Sequence, residues 1–149
     1  MLLFYIRHGD PIYDPDSLTP LGRRQAEALA KRLARYGLDE IYASSSKRAI
    51  ETAQPTSELV KKEIKVLDWC NEGHAWQEFA VPLPEGGEIW GYQNADCREK
   101  FLLPEVTALG EKWHEHKAFE GANFGNGVRR IARETDALFE TLGYRHDRE

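Results

Sequence analysis

The sequence is poor in cysteine, has no long apolar run and carries no excess of positive charge. Its two cysteines, Cys70 and Cys97, are far apart and neither belongs to a CxxC pair, so we expect no disulfide framework and no cysteine-rich zinc site. The apolar run LLFYI at residues 2–6 is too short for a membrane span or a signal-peptide core. A formal net charge of −5 disfavours nucleic-acid binding, which needs a basic excess. These absences predict an intracellular, cytoplasmic protein with no membrane or nucleic-acid partner.

What the chain does contain is enough apolar sequence for one globular domain, since 41% of its 149 residues are hydrophobic. The continuous apolar stretch at residues 2–6 predicts a short strand buried on both faces. Thr19 and Pro20 have the residue types of an N-cap and a first helical position, and Gly37 has that of a C-terminal stop. Between them, small and apolar residues share one helical face: Ala26, Leu29, Ala30 and Leu33.

The pattern continues with a second strand at residues 41–43, a second helix from about Lys47 that Pro55 should kink or restart, and a third strand at residues 63–67. This β-α-β-α-β order predicts an α/β fold with parallel strands. Residues 73–125 show no clear periodicity, and we interpret them as a variable insertion or lid-like region with one or two short helices. A third long helix is predicted from residue 126 to Gly143.

Four residues with chemical potential directly follow the first predicted strand: Arg7, His8, Gly9 and Asp10. In open α/β sheets, ligands bind beyond the carboxyl ends of the strands. A histidine can attack phosphorus when one ring nitrogen is free, and an adjacent arginine can hold phosphoryl oxygens. A glycine lets the backbone pass close to a bulky anion. This tetrad is therefore a candidate phosphoryl site.

Two further segments strengthen this interpretation, namely LTPLGRRQAEAL at residues 18–29 and SSSKRAIETA at residues 44–53. Together with the RHGD tetrad they resemble the three spaced motifs of the histidine phosphatase superfamily, the phosphoglycerate-mutase-like enzymes. The third motif departs from the usual pattern, because ASSS replaces the common Ser-Ser-Pro run. The resemblance implies a three-layer α/β sandwich with a mostly parallel central sheet flanked by helices, formed by residues 1–149 as a single domain.

The resemblance also implies roles for individual residues. His8 would become the phosphohistidine, Arg7 and Arg48 would neutralise the phosphoryl oxygens, and Gly9 would leave room for them. The general acid would be a carboxylate after the third strand, for which Glu72 is the best match. Other candidates are Asp68 and Glu78 for the acid, and Asp10 and His74 for the pocket. No cofactor or metal is implied, and the partner would be a small phosphorylated metabolite.

One feature of the family pattern is missing, the later His-Gly motif that carries a second catalytic histidine. His146 lies in YRHDRE without a preceding apolar strand or a following glycine, so we expect the chain to be incomplete at its C-terminus. Three activities remain open: phosphomonoester hydrolysis, mutase-type phosphoryl transfer, and phosphate-ester binding without catalysis. Mutases of the superfamily show RHGESxWN, whose serine and asparagine are absent from RHGDPIYDP, so hydrolysis is favoured. The sequence does not indicate an oligomeric state.

Overall fold

The computed structural model describes residues 1–146, which combine helices with short strands in an α/β arrangement. The chain forms two compact units, Met1–Asn71 and Glu72–Glu149. The predicted α/β class is confirmed. Among the described residues, the strands form three two-stranded sheets, one parallel and two antiparallel.

The prediction of a buried strand at residues 2–6 is wrong. These residues have no regular secondary structure, and their side chains are largely exposed, with Tyr5 98% exposed. An apolar run indicates a strand only when a neighbouring strand accepts its backbone, and no backbone hydrogen bond from the rest of residues 1–146 reaches this run. The run instead lies beside the first helix, where residues 3–6, Leu29 and Leu33 help to line a cavity of about 370 Å³.

The first unit starts with a small hairpin of strands β1 (Pro11–Tyr13) and β2 (Asp16–Leu18), which pair antiparallel. Helix α1 (Pro20–Leu33) follows, and the Oγ1 atom of its N-cap Thr19 accepts a hydrogen bond from Gly22 N. The helix ends in a 3₁₀ turn at Ala34–Tyr36, before Gly37 adopts a positive φ of 65°. The predicted start of this helix is confirmed, whereas its α-helical part ends at Leu33 and only the 3₁₀ turn reaches the predicted stop at Gly37. On the predicted face, Leu29 is half-buried and the other three residues are buried.

Strand β3 (Ile41–Ser44) and strand β4 (Ile64–Leu67) form the parallel pair, with Ile41 opposite Ile64 and Ser44 opposite Leu67. Helix α2 (Lys47–Val60) connects them and packs against α1. It runs through Pro55 without a restart, and Lys61 ends it with a left-handed backbone. The chain then enters a 3₁₀ turn at Asp68–Cys70. The predicted parallel arrangement of these two strands is confirmed.

The second unit contains helix α3 (Glu72–Phe79), a hairpin of β5 (Ala80–Pro82) and β6 (Glu88–Trp90), and helices α4 (Ala95–Phe101) and α5 (Pro104–Thr107). Two 3₁₀ segments, Gly110–Glu115 and Lys117–Phe119, precede the long helix α6 (Phe124–Thr141). Residues 73–125 thus hold more helix than the one or two short helices predicted. The prediction fell short because the apolar positions in this segment follow no single period. The predicted third long helix is confirmed. The core of this unit is Val81, Cys97, Val106, Phe119 and Phe124.

Candidate functional site

The half-buried ring of His8 is held by the backbone that follows it. Its Nδ1 atom lies 2.8 Å from the carbonyl oxygen of Gly9. A carbonyl oxygen can only accept a hydrogen bond, so Nδ1 carries the proton in this contact. In the neutral ring Nε2 then bears the lone pair. The local backbone therefore selects the tautomer in which Nε2 can act as a nucleophile.

The segment that carries His8 is joined to helix α2 through one hydroxyl group. The backbone N–H of Gly9 donates to Thr52 Oγ1 at 3.0 Å, and this hydroxyl donates to the carbonyl oxygen of Arg48 at 2.7 Å. Thr52 is buried and lies one helical turn after Arg48. This connection brings the RHGD tetrad and the third sequence motif together within the first unit.

Arg48 is itself buried and lies among groups from the β1–β2 hairpin. Its Nη1 atom is 2.9 Å from Asp16 Oδ1, and its Cζ atom is 5.2 Å from the centre of the Tyr13 ring. The second oxygen of Asp16, Oδ2, accepts a hydrogen bond of 2.6 Å from the backbone N–H of Lys47, the first residue of α2. A carboxylate on the hairpin thus contacts both the guanidinium and the helix that carries it.

The two carboxylates between the hairpin and α2 are both ionised more readily than usual. Burial alone would raise the pKa of Asp16, but hydrogen bonds from the Arg48 side chain and the Lys47 backbone, with the charge of Arg48, lower it below its ordinary value. Burial also opposes ionisation of Glu51, and hydrogen bonds from the Leu18 backbone and the Ser17 hydroxyl lower its pKa. Both groups are therefore charged at neutral pH.

Two glycines allow the tetrad to lie against the first turn of α1. A Cβ atom on Gly9 would lie 2.7 Å from the carbonyl oxygen of Gly22, and one on Gly22 would overlap the carbonyl oxygen of Asp10. The carboxylate of Asp10 accepts a hydrogen bond of 2.6 Å from the hydroxyl of Thr19, and its backbone N–H donates to Gln25. The Asp10 carboxylate therefore binds the N-cap of α1 and not the ring of His8.

The remaining predicted residues are placed as follows. Arg7 is exposed and forms no hydrogen bond or ion pair with the other residues of the described chain. Glu72 is exposed and is the first residue of α3, and His74 is half-buried in the same helix. His8, Arg7 and Arg48 belong to the first unit, and Glu72 and His74 belong to the second. The assignment of Glu72 as the acid stays a prediction.

The two alternative acids both accept short hydrogen bonds. Asp68 Oδ1 accepts one of 2.5 Å from the hydroxyl of Ser45, and both oxygens of Glu78 lie 2.6 Å from the guanidinium of Arg130. Both carboxylate oxygens of Glu78 are thus occupied by one guanidinium, and the side chain of Glu78 is half-buried whereas Glu72 is exposed.

Sequence reasoning gave no role to two polar residues that the structure places against Arg48, namely Asp16 and Thr52. Thr52 belongs to the third motif, where its four-residue spacing from Arg48 already indicates a shared helical face. Asp16 gives no comparable signal, because its partner lies 32 residues away. Across residues 1–146, no group of three His, Cys, Asp or Glu side chains could hold a metal ion, and no helix there is long and apolar enough to cross a membrane.

Comparison with known proteins agrees with the motifs. The sequence profile of the histidine phosphatase superfamily (branch 1) matches residues 3–141, and the chain belongs to this superfamily. The α/β fold is of the phosphoglycerate-mutase-like kind that the motifs predicted. No curated protein sequence gives a match.

Several solved mycobacterial structures are similar to the chain. A glucosyl-3-phosphoglycerate phosphatase shares 23% identity over 75% of this chain and 66% of its own, with a TM-score of 0.41. Mycobacterial hydrolase 2 shares 23% identity over 72% of this chain and 58% of its own, with a TM-score of 0.42. Mycobacterial hydrolase 1 shares 19% identity over 83% and 76%, also with a TM-score of 0.42. The chain thus spans less than two thirds of the length of the first two structures.

Proposed function

We propose that this chain hydrolyses phosphate monoesters through a phosphohistidine on His8, without a metal ion. In this proposal Arg7 and Arg48 bind the phosphoryl oxygens, and Gly9 leaves space for them beside the backbone. Glu72 protonates the leaving group, and the substrate is a small phosphorylated metabolite. Membership of the histidine phosphatase superfamily supports phosphoryl-transfer chemistry in general.

The reaction would proceed in two steps, phosphorylation of His8 and hydrolysis of the phosphohistidine. The lone pair of His8 Nε2 forms a bond to phosphorus while the phosphorus–oxygen bond to the leaving group breaks, and the departing alkoxide takes the proton of Glu72. A water molecule then gives a proton to the Glu72 carboxylate and its oxygen attacks the phosphohistidine. The phosphorus–nitrogen bond breaks, which releases inorganic phosphate and restores both side chains.

The observation that carries this proposal is the hydrogen bond between His8 Nδ1 and the carbonyl oxygen of Gly9. It leaves Nε2 as the basic nitrogen, which is the state that a nucleophilic histidine needs. The Thr52 hydroxyl adds support, because it ties the backbone next to His8 to the carbonyl of Arg48. In this proposal the buried guanidinium of Arg48 stabilises the charge that develops on the phosphoryl oxygens.

The test is hydrolysis of p-nitrophenyl phosphate and of a sugar phosphate by the complete protein in the presence of a chelator. Replacement of the nucleophile, His8→Ala, should lower kcat/KM at least about a thousandfold. His146→Gln serves as the matched control, because that exposed histidine contacts Asp136 and has no role in the proposal. Equal rates for the wild type and His8→Ala would refute the mechanism.

The same samples separate the two alternatives. Alkaline quenching followed by mass spectrometry should detect one phosphoryl group on the wild-type chain and none on His8→Ala. A mutase would transfer that group between positions of a phosphoglycerate and release little inorganic phosphate. A chain that binds phosphate esters but never becomes phosphorylated would be a binding protein and would overturn the enzymatic proposal.

A further inference from the structure

Asp16, in the β1–β2 hairpin, contacts both the side chain of Arg48 and the start of helix α2, which carries Arg48. One of its oxygens lies 2.9 Å from Arg48 Nη1, and the other accepts a 2.6 Å hydrogen bond from the backbone N–H of Lys47. The N-cap residue of α2, Ser46, makes no capping hydrogen bond with its own side chain. Asp16, from the hairpin, therefore supplies the cap that the local sequence of the helix leaves open.

This double contact restricts where the guanidinium of Arg48 can go. The side chain of Arg48 is only 10% exposed, and the Tyr13 ring lies 5.2 Å from its Cζ atom. A long arginine side chain loses considerable rotamer freedom when it is fixed in this way. A guanidinium that is already oriented binds an anion without that loss at the moment of binding.

We propose that Asp16 is a positioning residue, which holds the guanidinium of Arg48 and the first turn of α2 in the arrangement that binds a phosphoryl group. This inference rests on the proposed function, because it takes Arg48 as a phosphate ligand. It goes further in assigning a role to a hairpin residue outside the three motifs. The carboxylate acts through Arg48 and does not touch the substrate.

A matched control exists on the same pair of elements. Glu51 also ties the hairpin to α2, because its carboxylate accepts hydrogen bonds from Ser17 Oγ and Leu18 N and lies 3.5 Å from Arg23. A purely structural role for Asp16 predicts that Asp16→Ala and Glu51→Ala act alike. A positioning role predicts that only Asp16→Ala changes the behaviour of Arg48.

The experiment compares the wild-type protein with both variants, for which the KM and the Tm are measured alongside two direct reports on Arg48. The first is the affinity for inorganic phosphate, determined by calorimetry. The second is the ¹⁵N–¹H resonance of Arg48 Nε, assigned by its loss in Arg48→Lys. Asp16→Ala should weaken phosphate binding at least about tenfold, raise KM in proportion and move the Arg48 resonance towards that of a mobile arginine. Glu51→Ala should lower the Tm, keep the phosphate affinity within about twofold of the wild type and leave the Arg48 resonance at its wild-type position.

The outcomes separate this proposal from the proposed function. Equal losses of phosphate affinity in the two variants, or an unchanged Arg48 resonance in Asp16→Ala, would overturn the positioning role. A wild-type chain that binds no phosphate would instead overturn the proposed function, while the resonance still reports whether Asp16 fixes Arg48. If Asp16→Ala does not fold, Asp16→Asn retains the size and one acceptor oxygen and should show the same changes to a smaller degree.

Discussion

Two buried threonines on one face of α2 allow a test of the hydrogen bond between Gly9 and Thr52, because their replacement should change stability in opposite directions. Thr52 Oγ1 accepts from Gly9 N and donates to the carbonyl of Arg48. Thr56, one turn later and 3% exposed, has a buried Oγ1 atom with no hydrogen-bond partner among the described residues. Replacement by valine keeps the branched shape and removes only the hydroxyl in each case.

The two substitutions should therefore change stability in opposite directions. Thr52→Val leaves the Gly9 N–H without its acceptor, which costs about 1–3 kcal/mol. Thr56→Val removes an unpaired polar atom and should be neutral or stabilising by up to about 1 kcal/mol. For a chain of this length, 1 kcal/mol corresponds to a Tm change of roughly 2–4 °C. Thr52→Ser keeps the hydroxyl and should recover most of the loss.

Thermal unfolding followed by circular dichroism measures these differences, and phosphatase assays on the same samples measure their effect on the site. Thr52→Val should also lower kcat, because the His8 backbone loses its tie to α2, whereas Thr56→Val should leave kcat unchanged. The reasoning is wrong if both valine variants shift the Tm in the same direction by the same amount, since the hydrogen bond would then contribute nothing.

Three further predictions follow from packing and charge. Gly22→Ala should lower the unfolding free energy by about 1–3 kcal/mol in urea titrations, because its new Cβ overlaps the backbone of Asp10. The hydrogen bonds that outweigh burial keep the folded-state pKa values of Asp16 and Glu51 below 3.8 and 4.5. The two carboxylates therefore contribute fully to the free energy of unfolding above their unfolded-state pKa values, and this contribution is lost as the pH falls through their lowered folded-state pKa values. In the double variant Asp16→Asn, Glu51→Gln, the free energy of unfolding should thus decline less steeply towards about pH 3. Phe124→Ala should cost about 3–5 kcal/mol in the same titrations, because this ring is only 2% exposed in the second unit.

Local signals in the sequence were sufficient for the three long helices α1, α2 and α6. The pair Thr19 and Pro20 marks the start of α1, because an N-cap hydroxyl and a preset proline φ act within one turn. Periodic apolar residues indicated α6 for the same reason, since a helix closes its hydrogen bonds within its own segment. Strands depend on partners elsewhere in the chain, and the run at residues 2–6 looked like a strand but has no such partner among the described residues.

In the candidate site, too, local features could be predicted from the sequence and contacts between distant segments could not. The motifs predicted His8 and Arg48 as site residues, because phosphoryl transfer needs a nucleophile and a cation for the phosphoryl oxygens. They could not reveal the tautomer of His8, which depends on the direction of the Gly9 carbonyl. They also could not reveal Asp16, since its ion pair with Arg48 exists only after the hairpin has packed on α2.

The exposed apolar run at residues 2–6 has a consequence for the handling of this chain. Leu2 is 70% exposed and Tyr5 is 98% exposed, and the run contains neither charge nor proline. Short segments of high β-propensity without such breakers readily pair with copies of themselves. The protein should therefore self-associate as its concentration rises, and the substitution Tyr5→Lys should keep concentrated samples monodisperse.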